Sequence, residues 1–412
     1  MKKVLALLLV GCLLFMPTSV GAGTIDEIHG VCEELVVKSC IEDFFYSFEN
    51  MDNNAEVNEM MMDMVNISAC DEIQKYEMNQ SAERKRVSAQ STDDATFLEM
   101  VKLLFQRREI IERAADVDLK EYQKTLDVTM ESADIKGNMA DVDVKVVKKW
   151  NYAFSPEVES AAEDYFEISL SKEGGEWKIS KISGLSNVVM DEELIELGDE
   201  ITCREREEYI DALKEEYALD LEATNLCEEK ADKETGRYMA VSDMGTVMRA
   251  ASGYNNTAAV SYAQKYAMSP NPSYASFPAD CTNFSSQCLY AGGIKQHIGT
   301  SGNEDCWFYK NINNRSSTWA GVKEFQRYVT GSVSKIDVTL SSFNSVVPGD
   351  MIHLTNSSGA ATHALVITGA VQGANGRSDL LVCAHTTNRL NASLDYYYRS
   401  NSKVFYHING SK

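Results

Sequence analysis

A cysteine at position 281 stands where a loop gives way to a helix, within Asp280-Cys281-Thr282-Asn283-Phe284-Ser285-Ser286-Gln287-Cys288-Leu289-Tyr290-Ala291-Gly292-Gly293. Pro270, Pro272 and Pro278 upstream disfavour helix for themselves and for the residues before them. The run that follows has the length of a two- to three-turn helix, and Gly292-Gly293 supplies its stop. A thiol in a first helical turn meets unpaired backbone N–H groups and the positive end of the dipole, which favours the thiolate. A buried structural cysteine gains nothing from that position; a nucleophile does. Cleaving an amide this way also needs an imidazole as base and then acid, and a polar group to orient it.

Three histidines fall on neighbouring strand segments, 351–354, 363–368 and 380–385. A turn centred near residue 374 sets His363 opposite His385, and one centred near 358 sets His363 opposite His353. His363 is therefore expected in the middle, flanked by a histidine on either side, and is the candidate base. Spacing alone does not choose the orienting partner. His353, His297 and His407 read as structural residues, since a lone strand histidine is more often a satisfied one.

The elements around these residues divide by charge. Residues 241–412 hold 13 Lys and Arg against 9 Asp and Glu, a net of +4. That leaves 26 against 53 in residues 1–240, a net of −27, which argues against nucleic acid or an anionic membrane as partner. In this acidic half, residues 25–50 and 96–115 have helical spacing. Alternating segments at 126–130, 140–146, 165–170 and 177–182, with Gly174-Gly175 as a turn, predict an antiparallel sheet. Helices followed by such a meander resemble cystatin-like cone folds in architecture. A long acidic helical region, broken near Cys203, runs over residues 191–232, and residues 233–253 read as a linker. Farther on, residues 257–268 and 322–329 read as helices, and Pro348-Gly349-Asp350 marks a turn.

Met1-Lys2-Lys3, an apolar run from Val4 to Met16 and the small residues before Ala22 predict a secretory signal peptide cleaved after Ala22. The run is too short for a stable membrane span in the mature chain. Leu9-Val10-Gly11-Cys12 also resembles a lipoprotein site, but the apolar core continues past Cys12. A secreted chain with nine remaining cysteines is expected to pair eight in disulfides and leave one free, and Cys281 is the natural free one. Cys281 cannot bridge Cys288 along one helix, because seven residues span roughly 10 Å. The chain has no P-loop, no GxGxxG turn, no CxxC pair and no His-Glu-x-x-His site.

Residues 254–263 (YNNTAAVSYA), DCTNFSSQCLYAGG, Ser317-Thr318-Trp319, Gly349-Asp350, His363-Ala364-Leu365-Val366 and Ala384-His385-Thr386-Thr387 resemble the bacterial putative amidase domain. That family is similar to the papain-like clan of NlpC-type and CHAP-type cell-wall hydrolases. The resemblance covers about residues 250–410 and implies an α+β papain-like fold with Cys281 as nucleophile and His363 as base. In the relatives the third polar residue lies on the next strand, which points to His385 over His353. Asn388 is the alternative, since papain itself uses an asparagine there. A tyrosine before the cysteine sits near the oxyanion site in the relatives, and Tyr274 is its candidate here. The Cys281 backbone N–H is the other oxyanion donor, and Asp280 reads as a helix cap.

The expected organisation is thus a signal peptide (1–22), a helical and β-sheet domain (23–188), a helical linker (189–249) and a papain-like domain (250–412). The expected activity is a secreted cysteine amidase or peptidase using a thioester, without metal or organic cofactor. Peptide or peptidoglycan is the substrate that the resemblance implies. Three rivals stand beside it: a transglutaminase-like acyltransferase, a zinc hydrolase on His353, His363 and His385, and an inactive wall-binding or adhesion protein. Oligomeric state is not legible.

Overall fold

The computed structural model describes residues 22–50, 64–65, 95–217, 236–240, 253–374, 376–398 and 402–412. The expected leader to residue 21 with Cys12, Cys70, the loop at 79–94, Cys227 and most of the 233–253 linker lie outside the described residues. The chain divides into two compact units. One comprises Met1–Glu72, Met130–Asp143 and Ile168–Lys181; the other comprises Ile73–Thr129, Val144–Glu167 and Ile182–Lys412.

Helix α1 (Ala22–Asn50) belongs to the smaller unit. It buries Val37, Ile41, Phe44 and Phe45, whose spacing puts them on one helical face. The same unit takes parts of four strands: β1 (Glu121–Lys136), β2 (Met139–Tyr152), β3 (Ser160–Glu173) and β4 (Glu176–Ser183). Cys40 donates its thiol hydrogen to the Trp177 carbonyl at 3.4 Å, and Lys172 pairs with Glu33, so the helix is tied to this sheet. Gly174 and Gly175 both have positive φ and close the β3–β4 hairpin as their sequence predicts.

The larger unit opens with α2 (Phe97–Ala114), α3 (Glu192–Leu197) and α4 (Cys203–Glu216). A capping box of Thr202 and Glu205 starts α4, which explains the break near Cys203. After β5 (Arg237–Met239) come α5 (Asn256–Tyr266) and α6 (Cys281–Ala291). The small ribbon β6 (Tyr309–Asn311) and β7 (Asn314–Arg315) precedes α7 (Val322–Thr330). Seven elements then finish the chain: β8 (Ile336–Ser341), β9 (Met351–Thr355), β10 (Ala361–Gly373), β11 (Gly376–Ala384), β12 (Asn388–Ser393), α8 (Leu394–Tyr397) and the last strand β13 (Ser402–Ser411).

The strand order is β1-β2-β3-β12-β11-β10-β9-β13-β8, with β5 on the free part of β10. The pairings of β8 to β13 are antiparallel, so the fold is α+β on a large antiparallel sheet. Its central strands are buried on both faces, which is why β10 and β11 read as nearly continuous apolar runs. One face meets α5 and α6: Ala263, Phe284 and Cys288 share a core with Val366 and Cys383. The other carries Tyr397, stacked 5.9 Å from Trp150. No helix among the described residues is long and apolar enough to cross a membrane.

Strand β12 has no counterpart in the sequence reading. It joins the two halves of the sheet, pairing Asn388, Arg389 and Leu390 with Glu163, Ala162 and Ala161 of β3. Arg389 is 1 % exposed and fully engaged. One amino group donates to Asp164 at 2.6 Å and to the Val188 carbonyl; the other donates to the Glu163 and Asn388 carbonyls. The expected disulfide framework is not present among the described residues. Cys32, Cys203, Cys281, Cys288, Cys306 and Cys383 are free thiols, and four of them are buried as small apolar side chains.

Asp164→Ala leaves the Arg389 cation buried without its counter-charge. The expected cost is about 3 kcal/mol, read as a lowered urea midpoint; an unchanged midpoint would show that the pair contributes nothing.

Candidate functional site

Cys281 is the first residue of α6, and every residue from Cys281 to Leu289 is buried. Its thiol is 4 % exposed and sits in one apolar cluster with Trp307, Trp319, Phe325, Ala364 and Tyr406. Burial pushes the thiol above its ordinary value. The backbone N–H groups of Ala364 and Thr282 and the Thr282 hydroxyl pull the other way, and the neighbouring Asp280 carboxylate opposes them. The dipole argument for a ready thiolate is therefore outweighed by desolvation.

Strand register decides which side chains meet that thiol. Gly373 pairs with Gly376, so the centre of the β10–β11 turn falls between two residues, and Val366 is opposite Cys383. Continued, that register sets Ala364, not His363, beside His385. On the other edge Ala361 pairs with Thr355 as the turn near 358 requires. Thr362 is then an extra bulged residue, so His363 lies opposite Leu354 and Ala364 opposite His353. The expected flanking of His363 by two histidines is thus corrected by one residue on each side. A one-residue offset sends side chains to opposite faces.

His353 accordingly lies on the thiol's face, between Tyr406 (5.0 Å) and Phe325 (5.7 Å). It is wholly buried and neither ring nitrogen has a partner. Burial and then the nearby His363 push it down to about 3. His363 stacks on Tyr398 at 6.0 Å, and its Nε2 is buried without a partner. Burial and then the Arg389 cation push it down to about 4. No hydrogen bond joins Cys281 Sγ to either ring, although the amide next to His363 reaches the sulfur. The three strand histidines do not gather into a metal-ligand group among the described residues.

His385 is engaged elsewhere. Its Nδ1 is 2.7 Å from Asp280 Oδ2 and its Nε2 is 2.7 Å from the Tyr266 carbonyl, with the ring stacked 4.1 Å from Phe284. Asp280 stands at the N-cap position of α6 without capping it. Its Oδ1 instead accepts from the Phe277 N–H and the Asn283 amide, both at 2.9 Å. Asn283 also accepts from Trp319 Nε1 and donates to the Ala275 carbonyl. The Asp280 N–H donates to the hydroxyl of Thr386, a β-branched residue held at φ 86°. Tyr274 packs against the Cys281 cluster and stacks on Trp319. Asn388 lies apart, donating to Glu163 on β3. Asn283 and Trp319, quoted in the sequence only as parts of motifs, support Asp280, and Arg389, which the sequence did not single out, sets the field at His363.

Residues 253–408 match the family model of the putative amidase domain, so this segment is amidase-like. The uncharacterized protein YjcM of Bacillus subtilis (strain 168) is 29 % identical over 155 residues, 35 % of this chain and 34 % of its own. The uncharacterized protein YhbB of the same organism is 34 % identical over 100 residues, 24 % of this chain and 32 % of its own. The chain therefore spans about a third of the length of these relatives. No solved structure matches.

The two buried imidazoles set a pH dependence. Unfolded histidine titrates near ~6.5, while His353 and His363 titrate at about 3 and about 4 when folded. Between these values the unfolded chain binds more protons, so stability falls as pH drops from about 6.5 toward 4. His353→Leu should remove about 2–3 kcal/mol of the difference between pH 7 and roughly pH 4.5. Urea midpoints at both pH values check this; an equal slope in wild type and variant would contradict it.

Proposed function

We propose that this protein is an exported cysteine-dependent amide hydrolase, acting on peptide bonds of the kind found in peptidoglycan stems. The observation that carries the reading is a free thiol opening a buried helix inside the amidase-like segment. Family resemblance supplies the papain-like scheme and the substrate class; the residues supply the roles.

In this scheme Cys281 Sγ attacks the amide carbon while its proton passes to an imidazole. The oxyanion lies at the start of α6, where the Asp280 side chain caps none of the first-turn N–H groups. The imidazolium then protonates the leaving amine, the C–N bond breaks and a thioester forms. Water attacks that thioester, giving its proton to the imidazole, and the thiol is regained as the acid leaves. Burial keeps both partners neutral at rest, so proton transfer accompanies attack instead of preceding it. On this reading Tyr274 flanks the oxyanion, and its packing against the Cys281 cluster supports that role.

His363 is the base that the resemblance implies; the Cys281–Ala364 contact brings its strand to the sulfur, but the register turns the His363 ring to the opposite face. A second reading assigns the base to His353, because register puts its ring on the thiol's face with both nitrogens unpartnered.

Cys281→Ala should lower hydrolysis of peptidoglycan peptides by roughly three orders of magnitude or more, while Cys288→Ala keeps it. Product masses from purified peptidoglycan, with and without an added amine, test hydrolysis against acyl transfer. The alanine variant at the true base should lose about 10²- to 10⁴-fold. Turnover that survives Cys281→Ala would end the proposal, and a large loss from His353→Ala with little from His363→Ala would select the second reading.

A further inference from the structure

The acyl-transfer scheme leaves unexplained why a carboxylate directly precedes the nucleophile. A negative charge at Asp280 opposes ionisation of Cys281, the reverse of what a thiolate enzyme needs. The residue is nonetheless built in with care. Asp280 is 6 % exposed, and both its carboxylate oxygens and its backbone N–H are hydrogen-bonded.

Hydrogen-bond accounting fixes how many protons the pair holds. Tyr266 offers His385 a carbonyl oxygen, which only accepts, so Nε2 carries hydrogen. Asp280 already accepts two N–H donors on Oδ1, the behaviour of an ionised, acceptor-only carboxylate. The short 2.7 Å contact to Oδ2 then needs one proton between Nδ1 and the carboxylate, so the pair as a whole carries no net charge. Phe284 lies against the ring face at 4.1 Å, one helical turn beyond the thiol, which excludes water.

We propose that His385 is a positioning residue that acts on Cys281 through Asp280. The proton it shares cancels the charge of the carboxylate beside the thiol, and its two hydrogen bonds clamp the loop that delivers the sulfur. The proposal rests on Cys281 being the nucleophile, and it gives His385 a role other than orienting a second imidazole. Besides Asp280, no charged side chain among the described residues is a leading influence on the thiol. His353 of β9 and His363 of β10 are held neutral by burial. Tyr254, Tyr274, Tyr328 and Tyr406 are pushed up by burial, and Tyr309 packs against the same cluster. The Asp280–His385 pair is therefore the main charged feature beside the thiol among the described residues.

The test is the pH dependence of iodoacetamide labelling at Cys281, read by peptide mass in the full-length protein. His385→Gln keeps an amide donor but not the shared proton, and should move the labelling midpoint up by roughly one pH unit. The double variant Asp280→Asn/His385→Gln removes the carboxylate as well and should return the midpoint to the wild-type value. A clamp without an electrostatic part would be rescued by glutamine, so an unmoved midpoint in His385→Gln overturns the proposal. Labelling of Cys288 and Cys383 together with Cys281 would report an opened core and overturn it as well. If the single variant loses its native circular dichroism and the double keeps it, an uncompensated buried carboxylate is the cause, which supports the proposal. If both unfold, the pair is structural and the proposal fails. A midpoint that moves as expected, in a protein whose turnover survives Cys281→Ala, would retain the charge pair and refute the nucleophile.

Discussion

Everything near the thiol depends on the register of β10. A strand presents alternate residues to its two faces, so a shift of one position exchanges every side chain it offers. Here the shift has two sources. A bulge at Thr362 adds a residue on the β9 side, and the turn to β11 is centred between residues and not on one. Together they put Ala364 on the thiol's face, with its amide at the sulfur, and direct His363 toward Tyr398 on the other. The small side chain of Ala364 lets α6 approach the strand closely enough for that backbone contact. A larger residue at that position would hold helix and strand apart.

The far side of β10 is joined to the acidic half of the chain by Arg389. Its guanidinium is held by Asp164 and by three carbonyls, and it lies 5.2 Å over the Tyr397 ring. The same cation lowers the His363 imidazole. A residue of β3 thus influences, through one buried arginine, the basicity of a candidate catalytic group. This gives β2 and β3 a physical connection to the site that charge composition alone did not suggest: they extend the sheet on which the histidines stand.

Much of this was legible because the signals were strong and local. Helical spacing found α1 and α2, and alternation with Gly174-Gly175 found the meander. The proline loop and the paired glycines bounded α6 correctly. What escaped was set by single residues acting over long range. Strand β12 (NRLNAS) carries Asn and Arg at positions that look like a loop, and its pairing between β3 and β11 is what makes it a strand. The histidine arrangement failed by one residue because turn centres were placed on integers, and Thr362, an ordinary strand former, gave no bulge signal. Asp280 fitted the composition of a cap, yet its carboxylate bonds sideways to His385 because Phe277, Asn283 and the β11–β12 turn converge on it first.

On the proposed reading, the buried thiol and neutral imidazoles follow one economy. Each unit of pKa displacement corresponds to about 1.4 kcal/mol, so creating a thiolate–imidazolium pair in this dry cluster is costly at rest. The cost falls when negative charge develops on the substrate oxygen at the start of α6, whose first-turn N–H groups Asp280 leaves uncapped. A site built this way spends its electrostatic stabilisation on the transition state and not on the resting thiolate. An uncompensated carboxylate beside the sulfur would oppose that negative charge as strongly as it opposes the thiolate. Pairing Asp280 with His385 leaves the donors of the helix start as the dominant field, and the carboxylate remains free to order the loop.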